Sequence, residues 1–220
     1  MEFRLPLFNR IARFFGVPLF RGILYLLTRP TVEGLENVPH YGAYMIVANH
    51  LATVDPAMTI LLWPHHPEGL AAANQMETFF PGFLMKLYGA VPVHRGEYDR
   101  AVLEKALSIF RSNRPVFIMP EGTRSRKPGM QQAKPGAAYM AIKANVRIVP
   151  VGIIGTEAVT DHWKRWRRPR LTMKIGQPFV LPPLPSTSRD DRHHHLEECT
   201  MLIMKRIAEL LPEEYRGVYA

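Results

Sequence analysis

Hydrophobic and polar positions change their spacing repeatedly along this chain. From residue 43 onward, short apolar runs of strand length alternate with longer stretches whose apolar residues recur every three to four positions. Strands are expected at 43–49 (AYMIVAN), 69–74 (GLAAAN), 90–95 (AVPVHR), 115–120 (PVFIMP), 147–155 (RIVPVGIIG) and 170–176 (RLTMKIG). Helices are expected to start within 56–63 (PAMTILLW) and to occupy 79–89, 99–113, 135–145 and 195–211. This alternation predicts an α/β fold: a single layered domain whose central sheet, mostly parallel or mixed, is flanked by helices. No fixed-period repeat interrupts it. The proline-rich stretch 178–188 (PFVLPPLPSTS) reads as an ordered connector, because the one helix after it cannot form a core of its own.

The first thirty residues follow a different pattern. Phe and Leu dominate, yet Arg4, Arg10, Arg13, Arg21 and Arg29 recur throughout. No uncharged run approaches the roughly 20 residues that a membrane-spanning helix needs. Arginines spread over the whole stretch, with no small-residue cleavage site after an unbroken apolar segment, also argue against a secretory signal. The pattern predicts one or two short interfacial helices, broken near Pro6, Gly16, Pro18 and Gly22, with Phe and Leu entering lipid and Arg meeting phosphates. Packing on the protein's own core is the alternative. The chain therefore divides into an N-terminal amphipathic membrane-contact element, 1–30, and a main domain, 31–220.

Composition narrows the partners. With 47% hydrophobic and 21% charged residues in 220, the chain can bury a real core. The 28 Lys and Arg outweigh the 19 Asp and Glu, and the net charge of +9 favours anionic partners: phospholipid surfaces, phosphorylated metabolites, acyl carriers or nucleic acid. Cys199, the single cysteine, makes an intrachain disulfide impossible and suggests a reducing compartment. Its place in the periodic segment 195–211 reads as burial on a late helix.

The candidate chemistry starts at 48–58, ANHLATVDPAM, where His50 and Asp55 stand five positions apart at the end of an expected strand. Odd spacing sends side chains to opposite faces of a strand, and on a helix five positions turn through about 140°. The two residues therefore meet only across a turn. Pro56 supplies that turn, because proline suits the first helical position and the aspartate before it is a favoured N-cap. An aspartate touching the imidazole fixes its tautomer and leaves the other ring nitrogen to take a proton from a hydroxyl. On these residues alone a second reading stands beside it, in which Asp55 caps the helix and His50 bonds within the loop. A second candidate stretch, 117–126 (FIMPEGTRSR), runs from an apolar strand into Glu121, Gly122, Thr123 and Arg124. Glycine there permits close backbone approach and an arginine fork suits phosphate, so the segment is a plausible anion cradle or an ordinary solvated turn.

Taken together, NHLATVDP and PEGTRS resemble the glycerolipid acyltransferase family, specifically 1-acyl-sn-glycerol-3-phosphate acyltransferases. Four blocks can be followed in order over roughly residues 43 to 155. Asn49, His50, Asp55 and Pro56 match the first; Gly89, Pro92, Val93 and Arg95 resemble the second; residues 120–125 match the third, followed by KPGAA at 134–138; Pro150 and Val151 lie in the fourth. Two positions depart from the family pattern: Ala52 stands where serine is frequent, and 71–80 lacks a lysine often found ahead of the second block.

The resemblance implies transfer of an acyl chain from a thioester, acyl-CoA or acyl carrier protein, to the free hydroxyl of lysophosphatidic acid. In that scheme His50 is the general base and Asp55 orients it. Arg124, and Arg95 as a weaker candidate, would hold the acceptor's phosphate. Gly122 and Thr123 would offer backbone donors, and Glu121 would position substrate or organise the loop. The resemblance implies no metal or organic cofactor. It places the protein, peripheral or monotopic, on a phospholipid membrane at its cytoplasmic face. Alternatives are another lysophospholipid or glycerophosphate as acceptor, or a noncatalytic basic protein that binds lipid or nucleic acid.

Two further patterns carry weaker signals. Residues 162–170, HWKRWRRPR, interleave tryptophan with cations, which suits single-stranded nucleic acid, a lipid headgroup layer, an acidic carrier protein or a solvated loop equally. No nucleic-acid-binding signature accompanies it, and nucleic acid is not expected as a partner. His193, His194 and His195 are consecutive, point in different directions on a helix, and read as a helix start rather than a metal site.

Overall fold

The computed structural model describes residues 2–93, 100–125, 129–185 and 188–220. In chain order it contains α1 (Leu7–Leu27), β1 (Arg29–Glu33), β2 (Tyr44–Ala48), α2 (Asp55–Leu62), β3 (Glu68–Ala72), α3 (Ala73–Met76), α4 (Phe79–Tyr88), β4 (Val91–Val93), α5 (Arg100–Arg111) and β5 (Val116–Ile118). There follow α6 (Gly136–Ala144), β6 (Arg147–Ile154), α7 (Val159–Lys164), β7 (Arg170–Ile175), α8 (Arg189–Ala208) and α9 (Glu213–Arg216). Among the described residues each expected strand and helix from 43 onward has its counterpart, and the result is the predicted α/β domain; positions 94, 95 and 99 of the expected elements lie outside the described residues. The strand expected at 69–74 ends early, because Ala73 to Met76 turn into α3.

Seven strands make one mixed sheet in the order β1-β7-β6-β2-β5-β3-β4. Strands β4, β3, β5, β2 and β6 run parallel, while β7 is antiparallel to β6 and carries β1 parallel to itself. Central parallel strands are covered on both faces, which is why all five residues of β2 are buried despite the two-residue alternation of their side chains. Met45 and Val47 point into a core shared with Ile109, Ala138, Ile203 and Ile207. Tyr44, Ile46 and Ala48 point to the other face, into a core with Met58, Leu62, Trp63 and Leu24. Helix α8 starts on a capping box between Ser188 and Asp191, and Cys199 is buried along it as expected. His193 and His194 pair with Glu197 and Glu198 on the exposed face of the same helix.

The N-terminal region departs from expectation. Instead of short broken helices, residues 7–27 form one helix that passes through Gly16, Pro18 and Gly22. An internal proline costs about 3 kcal/mol or more, and tertiary contacts along the helix offset it. Asn9 Nδ2 donates to the Lys86 and Leu87 carbonyls at 2.8 and 2.9 Å, and Arg13 Nε to the Tyr88 carbonyl at 2.8 Å, all at the end of α4. Arg21 does the same for Leu61 and Trp63 at the end of α2. Carbonyls at helix C-termini lack intrahelical donors, so α1 satisfies two neighbouring helices while being held by them. Its own end is held by the basic segment, where Arg168 donates to the carbonyls of Tyr25 and Thr28 and Trp163 Nε1 to that of Leu27 at 3.1 Å. Part of that segment is thus structural; Trp166, at 98% exposure, faces solvent.

The strongest tie is ionic. Arg13 donates to both oxygens of Glu68 at 2.9 and 2.6 Å and stacks on the Tyr88 ring, with Glu68 fully buried. Arg114 reaches Glu68 Oε1 from the loop before β5. Replacing Glu68 by Ala strands a buried guanidinium, so Glu68→Ala is expected to lower unfolding free energy by about 3–5 kcal/mol in urea titration.

Candidate active site

Parallel strands set all their carboxyl ends along one edge, where open α/β sheets bind ligands. Three connections converge there: 49–54 after β2, the segment after β5, and the end of β6. The loop after β2 is pinned first. Asn49 is fully buried, and its side chain acts as one more rung of sheet: Nδ2 donates to the Ile153 carbonyl at 2.9 Å and Oδ1 accepts from the Ile153 N–H at 2.7 Å.

Asp55 organises the next three residues. Its Oδ2 accepts from the Leu51 and Ala52 N–H groups, both at 2.6 Å, and lies 2.9 Å from His50 Nδ1. Oδ1 is buried with no hydrogen-bond partner among the described residues, so the donors converge on one oxygen. The aspartate therefore does not serve as the expected helix cap. It sits in the first turn of α2 and turns back on the loop, where the residue before it, Val54, starts the helix. Ala52 contributes through its backbone, which needs no side-chain hydroxyl. Because Oδ2 already accepts two backbone hydrogens, it meets the imidazole as an acceptor, and Nδ1 carries the hydrogen. Nε2 then keeps its lone pair on a side chain that is 14% exposed. This is the arrangement a general base requires.

The segment after β5 grips His50 from the other side. Glu121 Oε1 accepts from the His50 N–H at 2.8 Å and Oε2 from the Gln131 N–H at 2.7 Å, while the Ser125 N–H donates to the His50 carbonyl at 2.8 Å. Both backbone groups of His50 are thus fixed by the second candidate stretch. Burial raises the Glu121 carboxyl from its ordinary 4.5 to about 7, the two N–H groups oppose that rise, and the nearby Asp55 adds to it. Gly122 holds φ +69°, a conformation favouring glycine, and closes a turn through its N–H to the Met119 carbonyl at 3.0 Å. That N–H is consumed within the turn, whereas Thr123 is exposed. Arg124 is exposed and donates to Thr53 Oγ1 at 2.5 Å, bridging the two loops. Arg95 lies outside the described residues.

The acyltransferase family's sequence model matches residues 29–154, more than half of the chain. The chain belongs to the acyltransferase family. Among its relatives, a 1-acyl-sn-glycerol-3-phosphate acyltransferase of Borreliella burgdorferi is 31% identical over 127 residues, 57% of this chain and 51% of its own length. A 1-acyl-sn-glycerol-3-phosphate acyltransferase alpha of Ovis aries is 28% identical over 161 residues, 72% of this chain and 55% of its own. The chain spans about half the length of these relatives. The crystal structure of a 1-acyl-sn-glycerophosphate acyltransferase, PlsC, from Thermotoga maritima shares the fold, with a TM-score of 0.60 at 23% identity over 89% of this chain and 78% of that one.

In this chain the segments that carry His50, Asp55, Glu121, Gly122 and Arg124 come together at one sheet edge. The rung made by Asn49 carries no sequence signal of its own, because its partner Ile153 lies 104 positions along the chain, and the positioning role of Gln131 rests on a backbone N–H, which any residue type but proline supplies. The titration of Glu121 yields a stability test. A carboxyl that holds its proton more tightly when folded makes folding weaken as pH rises from about 4.5 to about 7. Glu121→Gln is expected to remove that slope from urea-unfolding free energies measured across the range. It should also cost about 1–3 kcal/mol near pH 7, since an amide cannot accept from both N–H groups.

Proposed function

We propose that this chain moves an acyl group from a thioester, on coenzyme A or an acyl carrier protein, to the free hydroxyl of lysophosphatidic acid, giving phosphatidic acid. The observation that carries the reading is the 2.9 Å contact of His50 Nδ1 with Asp55 Oδ2, which leaves Nε2 available at the carboxyl edge of the sheet. The relatives from Borreliella burgdorferi and Ovis aries are 1-acyl-sn-glycerol-3-phosphate acyltransferases, which supports the same acceptor.

His50 Nε2 takes the hydroxyl proton as that oxygen attacks the thioester carbonyl. The tetrahedral intermediate collapses, the C–S bond breaks, and the imidazolium returns the proton to the departing sulfur. Ester and thiol leave, and His50 ends neutral. Asp55 holds the ring in the required tautomer and stabilises the imidazolium that forms in between. Glu121 acts on the backbone of His50 rather than on substrate. Arg124 spends one of its five N–H donors on Thr53 and has others for the acceptor's phosphate; Arg95 is the second candidate for that role. The Thr123 N–H is the remaining backbone donor for the thioester oxyanion.

The reaction takes place at a bilayer surface. Leu7, Phe8, Phe14, Phe15, Leu19 and Leu26 on α1 are each more than 60% exposed, and Phe79 at the start of α4 is 97% exposed. No helix among the described residues is long and apolar enough to cross a membrane. An apolar face of this extent suits a helix lying in the interface at the cytoplasmic side, with the domain peripheral to it.

His50→Ala is expected to lower turnover by about 10²- to 10⁴-fold with the unfolding midpoint unchanged, measured by transfer of a radiolabelled acyl group to lysophosphatidic acid in mixed micelles. Arg124→Ala is expected to raise the acceptor KM more than it lowers kcat; an unchanged KM removes Arg124 from phosphate binding.

A further inference from the structure

The cavity outlined by Arg4, Arg10, Arg13, His66 and Arg114 lies away from the catalytic edge and has a volume of about 630 Å³. Register fixes its place. Glu68, whose carboxylate binds Arg13 and Arg114, pairs with Val116, and Val116 pairs with Met45. Met45 precedes His50 by five residues, roughly 16 Å of strand rise, so this cavity opens at the opposite edge of the sheet.

Its charge is unbalanced. Four guanidiniums surround it, and the carboxylate bound to them, Glu68, is already taken up by Arg13 and Arg114. Arg4 and Arg10 are exposed and have no carboxylate partner among the described residues. His66, exposed at the rim, registers the field: partial desolvation lowers its pKa, Arg13, Arg21 and Arg114 lower it further, and Glu68 opposes them. The remaining wall is apolar, from Leu5 and Phe14, and Phe14 at 71% exposure continues onto the outer face of α1. A cationic floor beside an apolar exit suits an amphiphile whose phosphate enters while its chains run along the helix. The volume falls in the range of ligand pockets and far exceeds the needs of a free phosphate ion.

We propose that this cavity is a second, noncatalytic site that binds the phosphate of an anionic phospholipid, with Arg4 and Arg10 supplying its unneutralised charge. The lipid part rests on α1 lying at a bilayer surface; the anion part does not. Occupancy would set α1, through the Arg13 and Arg114 bridge to Glu68, at a fixed depth against the headgroups.

The test follows the His66 imidazole by NMR titration in the full chain, assigned with His66→Gln, using lipids below their critical micelle concentration. Dihexanoyl phosphatidic acid is expected to move the His66 midpoint upward, because its phosphate offsets the guanidinium field; dihexanoyl phosphatidylcholine and inorganic phosphate are expected not to. Arg4→Gln/Arg10→Gln should abolish the shift. An equal response to inorganic phosphate overturns the lipid assignment, and no response to either anion, or a shift retained in the double variant, overturns the site. In vesicle sedimentation the same variant should lose about 30-fold of the binding gained from phosphatidic acid, at about fivefold per arginine. The charge-matched Arg189→Gln/Arg192→Gln should retain that gain. Binding to purely zwitterionic vesicles, which reads the apolar face of α1 separately, should stay unchanged in both variants; its absence in the unmodified protein would count against the membrane reading without touching the monomeric-lipid result.

Discussion

The candidate active site of this protein is built on one buried carboxylate oxygen: Oδ2 of Asp55 collects three donors, while Oδ1 has no partner among the described residues. Two backbone N–H groups and the His50 ring converge on Oδ2 with the carboxyl fully buried. Burying the carboxylate with no donor on either oxygen would cost several kcal/mol. The loop 50–52 is therefore wound around the carboxylate, and the orientation of the imidazole follows from that winding. Had Asp55 capped its own helix, the ring would have lost both its tautomer and its direction. The side-chain rung of Asn49 on β6 and the backbone grip of Glu121 and Ser125 then fix the same residues from two other strands.

Glu121 shows how one carboxylate serves two loops. It joins the His50 N–H to the Gln131 N–H, so the histidine block is tied to the segment after β5. Burial works against its ionised form and raises its pKa to about 7, while the two backbone donors favour that form. The stabilising contact and the desolvation cost thus act on the same group. Arg124 reaches Thr53 from the same segment, so this cation is held against the loop that follows His50.

The polarity of the parallel strands separates the protein into two chemical ends. Loops at the carboxyl edge gather the His50 site, while the amino edge gathers Arg13, Glu68 and Arg114, where α1 is joined to the sheet. Helix α1 binds through polar side chains at the ends of α4 and α2, buries Val17 and Leu24, and keeps most of its other large apolar residues outside. This inverts the usual amphipathic helix, whose apolar stripe faces the core. Arginines that look like solvated charges in the sequence are, at Arg13 and Arg21, structural ties. Those at Arg4 and Arg10 remain without a carboxylate and give that edge its positive field.

The sequence by itself determined the alternation of strands and helices from residue 43 onward, the α/β class, and the meeting of His50 with Asp55 across a turn. Each rests on a period or a spacing of a few residues, and local backbone geometry decides what such spacings do. Tertiary structure alone decided that α1 runs unbroken through Pro18, that β7 and β1 reverse the sheet, and that Glu121 holds the His50 backbone. These depend on pairings such as Arg13 with Glu68, 55 positions apart, and His50 with Glu121, 71 apart. No local pattern encodes such partners: a buried charge or carbonyl selects whichever donor the packed fold brings within reach, and that choice exists only once the sheet has formed.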